Sequence, residues 1–273
     1  MNNTTTKTKF NLLQRARAWW AWQREINQQI AVRSACRAAT VAAAQIPSEI
    51  RAAWAERAPE EFPGLAVDDG SWLCCSVGLA QFFEVCRLQH AHGPCALPSK
   101  AADSVWHVWL TVDPSGLAAW QQRCFGRELA HREAEVLGAP LEDCLARSWA
   151  GACRSQGLSL FGPRLPLLFA LDGMLRLPTG WAYRHERGGL MHRQIDGFGQ
   201  ASGGAVAHAV VTAGGLVTLG LLTATELQAH RRRDDGGSGC GSGGGSDGGC
   251  DGGGSSSCGS SCGSGCGGGG CGG

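Results

Sequence analysis

The last 38 residues of this 273-residue chain, 236–273, contain only Gly, Ser, Cys and Asp. No side chain there is larger or more apolar than Cys, so nothing in the segment offsets the entropy cost of ordering it. Any folded body must come from the first 235 residues, enough for one domain of ordinary to large size or two small ones. The expected fold class is mainly α, an irregular helical bundle followed by a disordered Gly/Ser/Cys-rich tail.

Residues 10–45 hold no Pro or Gly and are rich in Ala, Gln, Arg and Leu, all good helix formers. Trp19, Trp22, Ile26 and Ile30 recur at steps of three and four, which places them on one helical stripe. Lys7, Lys9, Arg15, Arg17, Arg24, Arg33 and Arg37 make the segment basic. Such a helix can lie on an anionic membrane, although packing of the stripe against the chain's own core is the favoured reading. The net charge of the whole chain is only +1, so a nucleic-acid partner is not expected.

Pro47 ends this helix and Ser48 starts a short successor through Trp54. Further helices are expected over Trp72–Gln89, Ala101–Leu110, Pro114 towards Cys124 with Asp113 as cap, Glu128–Val136, and Leu141–Arg154. The stretch 162–172 is apolar but twice interrupted by Pro, and reads as an extended segment or a short helix. Residues 197–225 carry no formal charge. Within them 205–224 is long enough to span a bilayer, with Arg231, Arg232 and Arg233 behind it as a cytoplasmic anchor would be. Thr, His208 and the Gly214-Gly215 pair favour instead a soluble pair of small-residue strands or a helix hairpin. The expected organisation is a basic helix over 1–46, a helical domain over 47–196, an apolar Gly/Thr/Val segment with a basic linker over 197–235, and the tail over 236–273.

Asp103-x-x-Trp106-His107 follows an aromatic helix carrying Phe82 and Phe83 and the Leu97-Pro98 loop. Cys124-Phe125-Gly126 and then His131 come after it. This pattern resembles the glycine-rich domain-containing protein family (the GRDP-like domain), whose bacterial members carry such a signature and often a Gly/Cys-rich tail. It covers about fifty residues well, with Trp109 and Ala130 standing where the family often has further histidines. The resemblance implies a helical domain of unsettled biochemical activity and supplies no reaction.

Asp103, Trp106 and His107 stand at i, i+3 and i+4 and so share a helical face. If the chain turns back at Gly126, His131 can approach His107, with Asp103 and Cys124 as further donors. Imidazole, carboxylate and thiolate suit zinc or another transition metal. The competing reading makes Asp103 a helix cap, Trp106 core and His107 a partner of a backbone carbonyl. No His-Glu-x-x-His, Gly-x-Ser-x-Gly, phosphate-loop or dinucleotide fingerprint occurs, and no catalytic residue is assigned.

Eight cysteines lie in the body and six in the tail. With no secretory leader, a reducing cytoplasm is the expected compartment, membrane association the alternative. Tail thiols Cys240, Cys250, Cys258, Cys262, Cys266 and Cys271 can bind zinc or cuprous copper, cross-link or attach the chain, serve with the serines as a substrate for modifying enzymes, or do nothing beyond solubilising the chain. The leading expectation is a non-enzymatic scaffold that engages a protein partner and displays this tail. The alternatives are a metal-binding protein or metal-dependent enzyme using His107 and His131, and a single-pass membrane protein anchored by 205–224.

Overall fold

The computed structural model describes Gln23 and residues 27–132, 136–186 and 189–235, the side chains of 231–235 excepted. Residues 27–35 are helical. They are followed by α1 (Arg37–Ala43), α2 (Ser48–Glu61), α3 (Asp69–Leu88), α4 (Lys100–Val112), α5 (Pro114–Phe125), α6 (Leu141–Ser155) and α7 (Leu167–Leu175). An antiparallel sheet of β1 (Trp181–Glu186), β2 (Gly189–Ile195) and β3 (Ala201–Ala207) comes next, in the order β1-β2-β3. Two helices, α8 (Ala213–Thr218) and α9 (Ala224–Asp235), follow the sheet. The compact unit runs to Arg231, and the protein is mainly helical.

Helix α3 is the centre of that unit. Its sequence is apolar or small on every side, and residues from Cys74 through Phe83 are all buried, as a helix enclosed by others must be. Helices α1, α4, α6 and α7 pack around it. Asp68 caps it by accepting the Ser71 N–H at 2.7 Å. On the side towards α4 and α5, Phe83 meets Trp106 edge-on at 4.8 Å between ring centres and Trp120 at 5.6 Å. Trp109 and Trp120 lie 4.9 Å apart. Aromatic pairs in these tilted and edge-on arrangements contribute beyond their buried area.

The start of α4 is held by a buried carboxylate from another helix. Asp172 of α7, 2% exposed, accepts the Ser99 hydroxyl at 2.7 Å and the Ala101 N–H at 3.0 Å. It also accepts the Lys100 and Trp181 N–H groups, each at 3.1 Å. Ser99 in turn caps the helix by accepting the Ala102 N–H. Four donors from the α4 start and from β1 thus meet on one side chain. The Trp54 indole donates to Ser104 at 2.8 Å, which ties α2 to α4 as well.

Several expectations need correction. Trp19, Trp22, Ile26 and most of the basic segment lie outside the described residues, as does the tail. Ile30, the described member of the stripe, is 60% exposed. Residues 128–132 form no helix. The 205–224 stretch is not a membrane-spanning helix: it divides into the end of β3, a turn capped by Thr212, the six-residue α8 and a second turn. Gly214 and Gly215 sit inside α8, and the Thr212 hydroxyl oxygen accepts the Gly215 N–H, so that α8 begins there rather than continuing an earlier helix. Among the described residues no helix is long and apolar enough to cross a membrane. The sheet was not foreseen in 181–195, where Trp181, Tyr183 and Leu190 face inwards while Arg184 and Arg193 stay exposed.

Replacing Asp172 by Ala strands several buried donors at once, a loss of about 3 kcal/mol of folding stability. Urea titration of the Asp172→Ala variant checks this, and a loss below about 1 kcal/mol would show that the α4 start does not depend on the carboxylate.

Candidate functional site

Asp103 and His107 project from one face of α4, one turn apart, and His131 reaches them from the segment after α5. Ser99 and Asp172 fill the capping role at the start of α4, which leaves Asp103 free to face the histidines. Helix α5 begins at Pro114, whose missing N–H is harmless there, with Asp113 accepting the Gly116 N–H at 2.8 Å. It ends at Gly126, which adopts a left-handed φ of 75° and gives its N–H to the Gln122 carbonyl. Such a cap reverses the chain with least strain at glycine. The returning segment is pinned where the Leu129 N–H donates to the Gln121 side chain at 2.6 Å. His131 then stands edge-on to Trp106, ring centres 4.6 Å apart.

The three side chains converge. His107 Nε2 and His131 Nε2 are 3.1 Å apart, His131 Nε2 lies 3.0 Å from Asp103 Oδ1, and His107 Nε2 lies 3.4 Å from Asp103 Oδ2. One donor atom from each residue falls within 4.8 Å of the others, the spacing of a set able to hold a metal ion. A tetrahedral zinc with bonds of about 2.0–2.1 Å sets its donors roughly 3.3 Å from one another. The observed separations are of that size.

Glu61, at the end of α2, accepts from His107 Nδ1 at 2.5 Å. With the proton on Nδ1, the Nε2 lone pair points at His131 and Asp103. A carboxylate behind a histidine is the usual device for fixing the tautomer and ring orientation of a metal ligand. Phe62 packs 6.0 Å from the same imidazole. All three members of the set are partly buried, so the site is reachable from solvent.

They line a cavity of about 780 Å³ together with Phe82, Cys86, Cys95, Leu97 and Trp106. That is the size range of small-molecule sites. Arg127, Glu128 and Arg132 add charge to its wall. Trp106 carries a buried indole N–H with no hydrogen-bond partner among the described residues.

Of the four donors expected from the sequence, the structure brings together Asp103, His107 and His131 and leaves Cys124 out. Cys124 sits on the far turn of α5, its thiol towards the Gln45 carboxamide at 3.7 Å, and burial pushes that thiol up. The six tail thiols lie outside the described residues. Sequence reasoning missed Glu61, 46 positions before His107 and in no motif with it. It also missed a chain of hydrogen bonds in which Glu142 and His192 hold the two nitrogens of the buried His208, at 3.0 and 2.8 Å. That chain uses opposite nitrogens of the His208 ring for its two partners and ties α6 to the sheet.

Residues 37–204, from α1 into β3, match the UCP032817-like family. The chain belongs to that family. This overturns the resemblance to the glycine-rich domain proteins, which rested on about fifty residues of motif and on a Gly/Cys-rich tail that lies wholly outside the matched region. The family match includes α2, α4 and the return after Gly126, and so Glu61, Asp103, His107 and His131. No curated protein and no solved structure matches the chain.

The Gln121 clamp generates a prediction. Gln121→Leu releases the Leu129 N–H, so that amide should lose hydrogen-exchange protection while α5 keeps its own. Unchanged protection at Leu129 would show that His131 is positioned by other means.

Proposed function

We propose that the protein is a metal-dependent enzyme that acts on a small anionic molecule, with zinc or a similar divalent ion held by Asp103, His107 and His131. The observation that carries this reading is the convergence of two Nε2 atoms and a carboxylate at 3.0–3.4 Å, with Glu61 behind His107. Two imidazoles and one carboxylate favour zinc over cuprous copper, which prefers sulfur donors. Three protein ligands leave a fourth position open, the pattern of catalytic rather than structural zinc.

The surroundings support a reaction of the hydrolytic class. The site opens onto the cavity, where Arg127 and Arg132 favour a negatively charged ligand. Glu128, on the same wall, is a carboxylate of the kind that moves a proton to or from a bound water. A bound ion would supply polarisation of that water. The chain's own residues would orient His107 through Glu61, hold His131 against Trp106, and offer the unpartnered Trp106 N–H to an acceptor on the ligand.

A second reading, the protein-interaction scaffold, has one observation in its favour. Phe198, at the turn between β2 and β3, is 90% exposed. A single exposed aromatic is ordinary on a protein surface, so the metal reading takes precedence.

Titrating the full chain with zinc tests it. The wild type should show a binding equivalent that His107→Ala and His131→Ala each abolish, whatever the tail thiols add. Glu61→Gln should keep that equivalent but weaken it about 10–100-fold, as loss of an outer carboxylate does. Isotherms of the two histidine variants identical to wild type would overturn the reading.

A further inference from the structure

The cavity beside Asp103, His107 and His131 has two ends of different chemistry. Its floor is one stripe of α3 and its continuation: Phe82, Cys86 and His90 stand four residues apart and all line it. The Gln89 N–H still donates to the Val85 carbonyl at 2.8 Å, so the coil carries on to His90. At 1.5 Å per residue, Phe82 and His90 are about 12 Å apart along the helix axis. The segment after Gly126 runs back along that floor. Arg127 contacts His90 at one end. At the other end His131 meets Trp106, which packs on Phe82 with ring centres 5.7 Å apart. Four residues lead from Arg127 to His131, and a chain of that length reaches at most about 14 Å, enough to cover the same span. The metal ligands therefore mark one end of a slot and Arg127 the other.

At the far end the Arg127 guanidinium donates through Nη1 to His90 Nδ1. An arginine is always the donor, so His90 keeps its proton on Nε2. Among the described residues Arg127 makes no ion pair and no other hydrogen bond, which leaves the edge formed by Nε and Nη2 open. That edge fits a carboxylate through two parallel N–H···O bonds. Arg132, the other cation of the wall, directly follows His131 and is exposed. Between the ends the lining is apolar or small: Leu97 and Leu129, both packed against the core and only partly buried, with Cys86 and Cys95. Glu128, the charged residue of this stretch, is exposed. An alkyl chain suits such a lining, whereas the N–H and C=O groups of a peptide would find few partners there.

We propose that the substrate is an elongated amide or ester whose acyl chain ends in a carboxylate, with the carbonyl at the Asp103, His107 and His131 end and the carboxylate on Arg127. This rests on the metal-dependent reading and adds to it the place of the anion, at the far end of the chain and not at the reacting carbon. An extended chain advances about 1.25 Å per C–C bond, and after allowance for the contacts at either end the slot accommodates about six to eight methylenes. Hydrolysis adds water across the acyl bond, its hydroxyl to the carbonyl carbon and its proton to the departing amine or alcohol, and yields a dicarboxylic acid.

The test titrates the zinc-loaded full chain calorimetrically with linear hydroxamic acids of increasing length, each made with a carboxylate end and with a methyl end. The same titration of the His107→Ala variant subtracts any share bound elsewhere on the chain. At about six to eight methylenes the carboxylate should tighten binding about tenfold over the methyl end, as a charge-assisted pair of bonds does, and it should add little at about three. Arg127→Met should cost more of that advantage than Arg132→Met. An advantage equal at every length, one greatest for the shortest acid, or a larger loss in Arg132→Met would overturn the proposal while leaving the metal reading in place. Hydroxamate binding that His107→Ala does not diminish would remove the metal reading and this inference with it. The wild-type length series decides the matter if a variant does not fold.

Discussion

The carboxylate of Asp172 is the interaction on which the site's geometry depends. It is buried between α7, the start of α4 and the first strand, where it collects one hydroxyl and three backbone N–H groups. Burial pushes its carboxyl above the ordinary range while these donors pull it back. A negative charge at the first turn of α4 also complements the helix dipole. With that end fixed, the phase of α4 is fixed. Trp106 faces the aromatic core while Asp103 and His107 turn towards the cavity. Moving the helix by one residue would rotate it about 100° and scatter the set.

A helix supplies two of the converging donors, but the third has to be returned to it. Gly126 makes the reversal with a left-handed φ that other residues adopt at a cost. Gln121 then holds the returning backbone and Trp106 holds the His131 ring. Glu61 completes the arrangement from a helix that the Trp54–Ser104 hydrogen bond locks to α4. Each support is local and each differs in kind, so the site is built from ordinary packing and capping rather than from strained backbone.

Much of this was legible in the residues. Helical spacing put Asp103, Trp106 and His107 on one face, Pro114 with Asp113 marked the start of α5, and Phe125-Gly126 marked its end. What spacing could not supply was distance through space. Glu61 had no motif to announce it, and Cys124 looked like a donor because the direction of its side chain depends on the rotation of α5. The sheet stayed hidden because Trp181, Tyr183 and Leu190 alternate with arginines only over six or seven residues. Residues 205–224 have the length and hydropathy of a span, yet Thr212 and the glycines supply turn chemistry that length alone does not register. The family resemblance went astray on a short motif and a low-complexity tail, features that proteins of different families can share.

X-ray absorption at the zinc edge of the zinc-loaded full chain tests the central claim most directly. Two imidazoles, a carboxylate and a water give a shell of nitrogen and oxygen at about 2.0–2.1 Å, with the multiple-scattering signature of histidine. A first shell dominated by sulfur at about 2.3 Å would place the metal on the tail thiols instead, and would contradict the assignment of Asp103, His107 and His131.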